Sequence, residues 1–487
     1  MRQLLAAWLI IVPSLLGCTS PRDRLTFPRA PVEGNTYDTR GDGHRNFSLL
    51  LDDRGHVDEL TYDDDADGAA DRIYRLSDYD NARVPHVIIL LDSIPYQAVA
   101  DRYAAGHFRF FDAPQKLIPP FPSLSEQIFS QILQAPPLPG MIDGYYDARS
   151  NQVSSGVMSR VKGYHQPWEY RCNYVAKYYE AGLSYLQPRE WFRTELNRAK
   201  AAIDRSPDRV TVVYLVSTSG MLCRLGRGGL DTVLDEIERF CLQLLYERQG
   251  AVKISMLADH GHNLVTSTNI SLVEDLKRAG FDVVTKRRRD RDVVLDLDGL
   301  VTYLGIHTSH PADVASVIVK RPEIELVMYM QQDRVIVRDG AGSAAIECRG
   351  GRLRYVPIDR DVLGYRSVID TLTSAGKMDI DGFASDDDWL AATVDHEFPD
   401  APRRVWDALH GQTINPPDVM LTIRDGFCCG HESLETFIKM ASTHGGLNQV
   451  NSATFLMTMT GRASKPLRSR DVMATIEPGY LLPVRMR

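Results

Sequence analysis

Polar residues at the ends of two apolar runs mark where this chain could do chemistry. The run 87–91 stops at Asp92, and the run 254–257 ends in Ala258-Asp259-His260-Gly261. Open parallel sheets gather their ligands at the carboxyl ends of strands, so both carboxylates and the imidazole are expected in one crevice, where they suit a divalent metal. Between them, Pro119-Pro120-Phe121-Pro122-Ser123-Leu124-Ser125-Glu126 opens the amphipathic stretch 127–133. Ser125 at that helix start would feel free amides and the positive end of the dipole, which favour an alkoxide and an incoming phosphate. A metal beside it would lower the hydroxyl pKa further. A lone Asp-His pair is usually a turn and a lone serine at a helix start usually a cap. Two strand ends carrying ligands around such a serine are harder to dismiss.

Positioning these groups needs a particular scaffold. From Val84 onward, buried strands alternate with amphipathic helices, with strands expected at 87–91, 210–216, 254–257, 419–423 and 455–459. This pattern predicts an α/β fold, a mostly parallel sheet with helices on both faces. Leu230, Val233, Leu234, Ile237, Phe240, Cys241, Leu244 and Leu245 recur at helical spacing and are expected to be core packing. Shorter mixed elements at 264–400 read as a cap subdomain inserted between two parts of the catalytic domain, 84–263 and 401–487. Residues 18–83 form an anchor linker and a small acidic β region with an internal echo. Tyr37-Asp38, Asp42-Gly43 and Asn46 return as Tyr62-Asp63, Asp65, Asp67-Gly68 and Asp71. Alternating oxygen ligands followed by glycine suit calcium, and the second copy (Asp63, Asp65, Asp67, Asp71) is the better candidate; a solvated acidic hairpin accounts for it about as well.

The chain of 487 residues is 44% hydrophobic and 25% charged, which argues against disorder. Its first 17 residues combine Arg2 with an apolar run, 4–16, that is shorter than the roughly 20 residues a membrane span needs. Leu15-Leu16-Gly17-Cys18 ends that run and resembles a bacterial lipoprotein signal, with Cys18 as the lipidated residue. The mature chain is therefore expected outside the cytoplasm, lipid-anchored in the cell envelope of a bacterium, in the periplasm or at the outer membrane. The formal net charge of −8 gives no footprint for nucleic acid.

From Asp92 to the C-terminus, the ordered set of Asp92, Phe121-Pro122-Ser123-Leu124-Ser125, the stretch 140–147, Asp259-His260-Gly261 and Thr443-His444-Gly445 resembles the alkaline phosphatase superfamily. The resemblance is strongest to its type I phosphodiesterase and nucleotide pyrophosphatase branch. It implies Ser125 as nucleophile, with Ser123 as the fallback, and Asp92, Asp259 and His260 with Ser125 around one metal, zinc. His444 would serve a second metal. There the family places an Asp and a His four residues apart, followed by glycine. Ser219 and Cys223 hold those places here, with Gly226 after them. A cysteine thiolate is a good zinc ligand, whereas a neutral serine replaces a carboxylate poorly. Gly144 stands where the branch often offers an Asn to a phosphoryl oxygen. His262 is expected just outside the metal ligands, and His307, His310 and His431 at the surface or in packing.

The function implied is metal-dependent hydrolysis of phosphate esters, diesters or monoesters, through a phosphoserine at Ser125. The alternative is a degenerate member that binds a phosphorylated ligand or an envelope partner without turnover. The cysteine or serine motif of formylglycine sulfatases is not found around Ser125.

Overall fold

The computed structural model describes residues 24–154, 165–297, 299–430, 439–463 and 465–485. The expected signal at 1–17, Cys18 and His431 lie outside the described residues. Among the described residues, no helix is long and apolar enough to cross a membrane.

The architecture is α/β, as expected. A six-stranded sheet runs in the order Leu467–Arg468, Gln115–Ile118, Thr454–Thr458, Lys253–Ala258, His86–Leu91, Val210–Leu215. Only Thr454–Thr458 runs against its neighbours; the other pairings are parallel. The three strands of one flank are buried along their whole length, which is why they read as continuous apolar runs. Alternate residues divide between two cores. Val87, Ile89 and Leu91 face the helical segment Ser217–Arg248, which is broken by a kink at Gly226 and whose predicted stripe, beyond the kink, is buried in the same core. Ile88 and Leu90 face Ile128, Phe129 and Ile132 of the helix Ser125–Ile132.

A second sheet of eight strands, 282–357 in large part, is antiparallel apart from one short outer pair. Val419–Ile423, expected in the parallel sheet, lies instead in the middle of this one, antiparallel to Tyr303–His307 and Ile324–Gln331. The reason is physical: a five-residue run buried at every position carries no period that tells one sheet from another. Helix Ala401–Leu409 also packs on this sheet through Ala401, Val405, Ala408 and Leu409.

The N-terminal region is a four-stranded antiparallel sheet. Its sequence echo is a structural repeat. Asp38 accepts the amides of Gly41 and Gly43 at 2.7 and 2.8 Å, and Asp63 accepts those of Ala66 and Gly68 at 2.7 and 2.9 Å. Gly43 and Gly68 have φ of +88° and +90°, a left-handed turn that glycine adopts without strain.

Glu325 links two strands of the second sheet, where Thr422 Oγ1 donates to its carboxylate at 3.0 Å. Burial pushes this carboxyl up to about 7, against the Thr422 bond and helped by Asp425. A folded-state pKa raised above the ordinary 4.5 means that this group's contribution is full below pH 4.5 and is lost as pH rises toward 7. Glu325→Gln should therefore flatten the decline in urea midpoint between these pH values. Parallel profiles for the two proteins would contradict the assignment.

Candidate active site

Asp92, Asp259 and His260 come together at the carboxyl ends of the adjacent parallel strands His86–Leu91 and Lys253–Ala258, all three buried. One ligand atom from each lies within 4.8 Å of the others. His260 Nδ1 faces the Gly261 carbonyl at 2.8 Å, so this nitrogen carries the proton and Nε2 presents its lone pair. That lone pair faces Asp259 Oδ2 at 3.4 Å and Asp92 Oδ1 at 4.0 Å. Asp259 Oδ2 is buried without a hydrogen-bond partner. A lone pair turned toward carboxylates, with one oxygen orphaned, is the donor set of a divalent cation, and these residues fit one.

Asp259 Oδ1 is held by the amides of Ser93 and His260, at 2.9 and 2.8 Å. Burial first, and then the charge of Asp92, pushes the Asp259 carboxyl well above the usual carboxylate range. Asp92 accepts Tyr214 Oη at 2.6 Å and Ser93 Oγ at 2.7 Å. Its amide donates to Thr218 Oγ1 at 2.9 Å. Ser93 therefore bridges both carboxylates, and it does so with φ of +69°, an uncommon backbone state for a non-glycine residue that tends to occur at functional sites.

Ser125 is the first residue of its helix, with Leu124 as the cap residue and no side-chain cap bond. The ordinary capping role is thus not what this serine performs. Its Oγ lies 3.5 Å from Asp92 Oδ2 and 3.4 Å from His260 Nε2. Ser123 is fully buried and its hydroxyl donates to the Gly446 carbonyl at 3.0 Å, away from the metal-ligand group. Gly261 meets a need for close approach: a Cβ there would meet the carbonyl of Val450 at 2.3 Å.

The residues expected at a second metal lie beside the first group but are differently partnered. Ser219 Oγ meets Tyr185 Oη at 3.2 Å and Ser93 Oγ at 3.4 Å, and stands 3.8 Å from Cys223 Sγ. Cys223 Sγ faces His262 Nε2 at 3.8 Å, which places His262 against one of the expected ligands. Burial pushes the Cys223 thiol up to about 12, which keeps it protonated. His444 stacks on His260 with ring centroids 4.0 Å apart and turns Nδ1 to the Ser123 carbonyl at 3.1 Å. Burial and then His260 bring its pKa down to about 3. Among the described residues, Asp92, Asp259 and His260 form one convergent group and Asp63, Asp65 and Asp67 the other. In the latter, Asp65 and Asp67 are exposed; Asp71 accepts the Asp64 amide at 2.6 Å and is not one of the three.

Ser93, Tyr185, Tyr214 and Thr218 were not legible as site residues. Tyr214 left a faint signal, as a phenol one position before the end of a mostly apolar strand.

No protein-family model matches the chain, and no curated protein matches its sequence. Among solved structures, the chain is similar to phosphonoacetate hydrolase from Sinorhizobium meliloti 1021 in complex with phosphonoacetate, at 10% identity and a TM-score of 0.43, over 83% of this chain and 96% of that one. It is similar to human ectonucleotide pyrophosphatase/phosphodiesterase 5 at 9% identity and a TM-score of 0.42, with the same coverage. The murine counterpart, an inactive variant in complex with AMP, matches at 9% identity and 0.44, over 83% of this chain and 98% of that one.

Burial and Asp92 hold the Tyr214 phenol well above its ordinary pKa, so it stays a donor to Asp92. Removing a partner that orients a carboxylate able to hold a metal costs affinity for that metal. Where a divalent cation binds beside Asp92, Tyr214→Phe should weaken its binding about tenfold in competition with a chelator. Unchanged affinity would show that Asp92 is oriented without it.

Proposed function

We propose that the chain hydrolyses phosphate esters, using zinc held by Asp92, Asp259 and His260 and Ser125 as the nucleophile. The observation that carries this reading is the meeting of Ser125 Oγ with Asp92 Oδ2 and His260 Nε2, at 3.5 and 3.4 Å, beside the orphaned Asp259 Oδ2. Zinc bound there would supply Lewis acidity, polarising a phosphoryl oxygen and favouring ionisation of the neighbouring hydroxyl. Ser125 Oγ attacks phosphorus and loses its proton to solvent, while the ester's alcohol oxygen leaves with the bonding electrons. Free amides in the first turn of the helix Ser125–Ile132 can donate to the phosphoryl oxygens. Water then attacks the phosphoserine, which releases phosphate from a monoester or a new monoester from a diester and regenerates Ser125. The Ser93 amide and hydroxyl keep both carboxylates fixed throughout.

A second reading, binding of a phosphorylated ligand or envelope partner without turnover, is favoured by Ser219 and Tyr185. They put neutral hydroxyls beside the first site, where the expected carboxylate would have balanced a second cation. Zinc-loaded protein should carry about one zinc per chain and cleave bis(p-nitrophenyl) phosphate or p-nitrophenyl phosphate. Ser125→Ala should lower turnover about a thousandfold or more. Unchanged turnover in that variant would remove Ser125 from the role, and phosphate binding with no wild-type turnover would favour the second reading.

A further inference from the structure

We propose that Arg404 is a positioning residue that locks together the three chain segments carrying Ser125, His444 and His260. It lies on helix Ala401–Leu409 and is 3% exposed. Its Nη1 donates to the carbonyls of Pro399 and Leu447, at 3.1 and 2.8 Å. Its Nη2 donates to Ser123 Oγ at 3.1 Å and Ser452 Oγ at 2.7 Å. Asp400, the nearby acidic residue, is engaged instead by Arg468 at 2.6 and 2.9 Å.

A buried guanidinium whose hydrogen bonds go to neutral acceptors is an expensive way to fill a core, and an apolar side chain of similar volume would pack there at lower cost. What the guanidinium offers is a rigid fork that fixes several acceptors relative to one another. Those acceptors lead directly to the site. Ser123 stands two residues before Ser125. The Ser123 amide donates to the Gly445 carbonyl at 3.2 Å, and its own carbonyl accepts His444 Nδ1 at 3.1 Å. That contact fixes the proton on Nδ1 and leaves His444 Nε2 with its lone pair. The Ser452 carbonyl accepts the Gly261 amide at 3.2 Å, next to His260. Arg404 is thus one contact from the nucleophile loop and from the turn that carries His444, and two from the His260 turn. Its hydrogen bonds go to none of the three side chains.

The site reading above underlies this proposal, but its test is made on unreacted full-length protein. Hydrogen exchange of Arg404→Lys, which keeps the charge and loses the fork, should be about tenfold faster in peptides spanning 119–126 and 443–452. The strands His86–Leu91 and Lys253–Ala258 should stay within about twofold of wild type. Arg403→Lys, which alters a neighbour bound to Asp407 on the same helix, should leave all four regions unchanged. If Arg404→Lys does not fold, Ser452→Ala removes one acceptor and should give the same pattern. Unchanged loops, or acceleration spread equally over loops and strands, would overturn the proposal. Where wild type turns over a phosphate ester, Arg404→Lys should also lower kcat about a hundredfold with KM within about threefold. A wild type without turnover would fail the hydrolase reading and leave the exchange result to decide this one.

Discussion

Two carboxylates at the ends of neighbouring parallel strands, buried within reach of one imidazole lone pair, are the constraint around which this structure is arranged. Like charges in a low-dielectric pocket cannot both stay ionised without a cation or a proton between them. The response of Asp259, whose carboxyl is held well above its usual range by burial and by Asp92, is the expected result of leaving that charge unbalanced. The surrounding donors are neutral: Ser93 bridging both carboxylates through its hydroxyl and amide, a phenol on Asp92 and the His260 amide on Asp259. They orient the carboxylates without cancelling their charge. A pocket so built suits a cation.

The neighbouring position follows a different rule. Ser219, Tyr185, Cys223 and His262 contact one another through neutral hydroxyl, thiol and imidazole groups. The Tyr185 hydroxyl meets Ser219 there, at the place where a carboxylate was expected. The asymmetry between a charged pocket and a neutral one beside it is what makes a single cation next to Ser125 the simplest reading of the site.

Much of the charged pocket was legible in the sequence, because strand ends announce themselves: an apolar run stops and a ligand follows. Asp92, Asp259 and His260 were found this way, and Ser125 by its place at a helix start. The residues that hold them were not. Tyr214 is 122 positions from Asp92, Thr218 is 126, and Arg404 is 281 from Ser123, and no local pattern relates such distant partners. Ser93 was adjacent to a predicted ligand, yet its role depends on a positive φ that its residue type does not signal. The same limit explains Val419–Ile423. Its burial was legible but its sheet was not, since pairing partners are set by topology and not by composition. The acidic echo fared better because each copy is a hairpin loop whose aspartate bonds to amides a few residues on.

X-ray absorption at the zinc edge, on the full chain loaded with one equivalent of zinc, tests the central claim most directly. Zinc at Asp92, Asp259, His260 and Ser125 would show only nitrogen and oxygen neighbours, at about 2.0–2.2 Å. A sulfur neighbour at about 2.3 Å would put the metal on a cysteine, with Cys223 the nearest to the site, and would contradict the account.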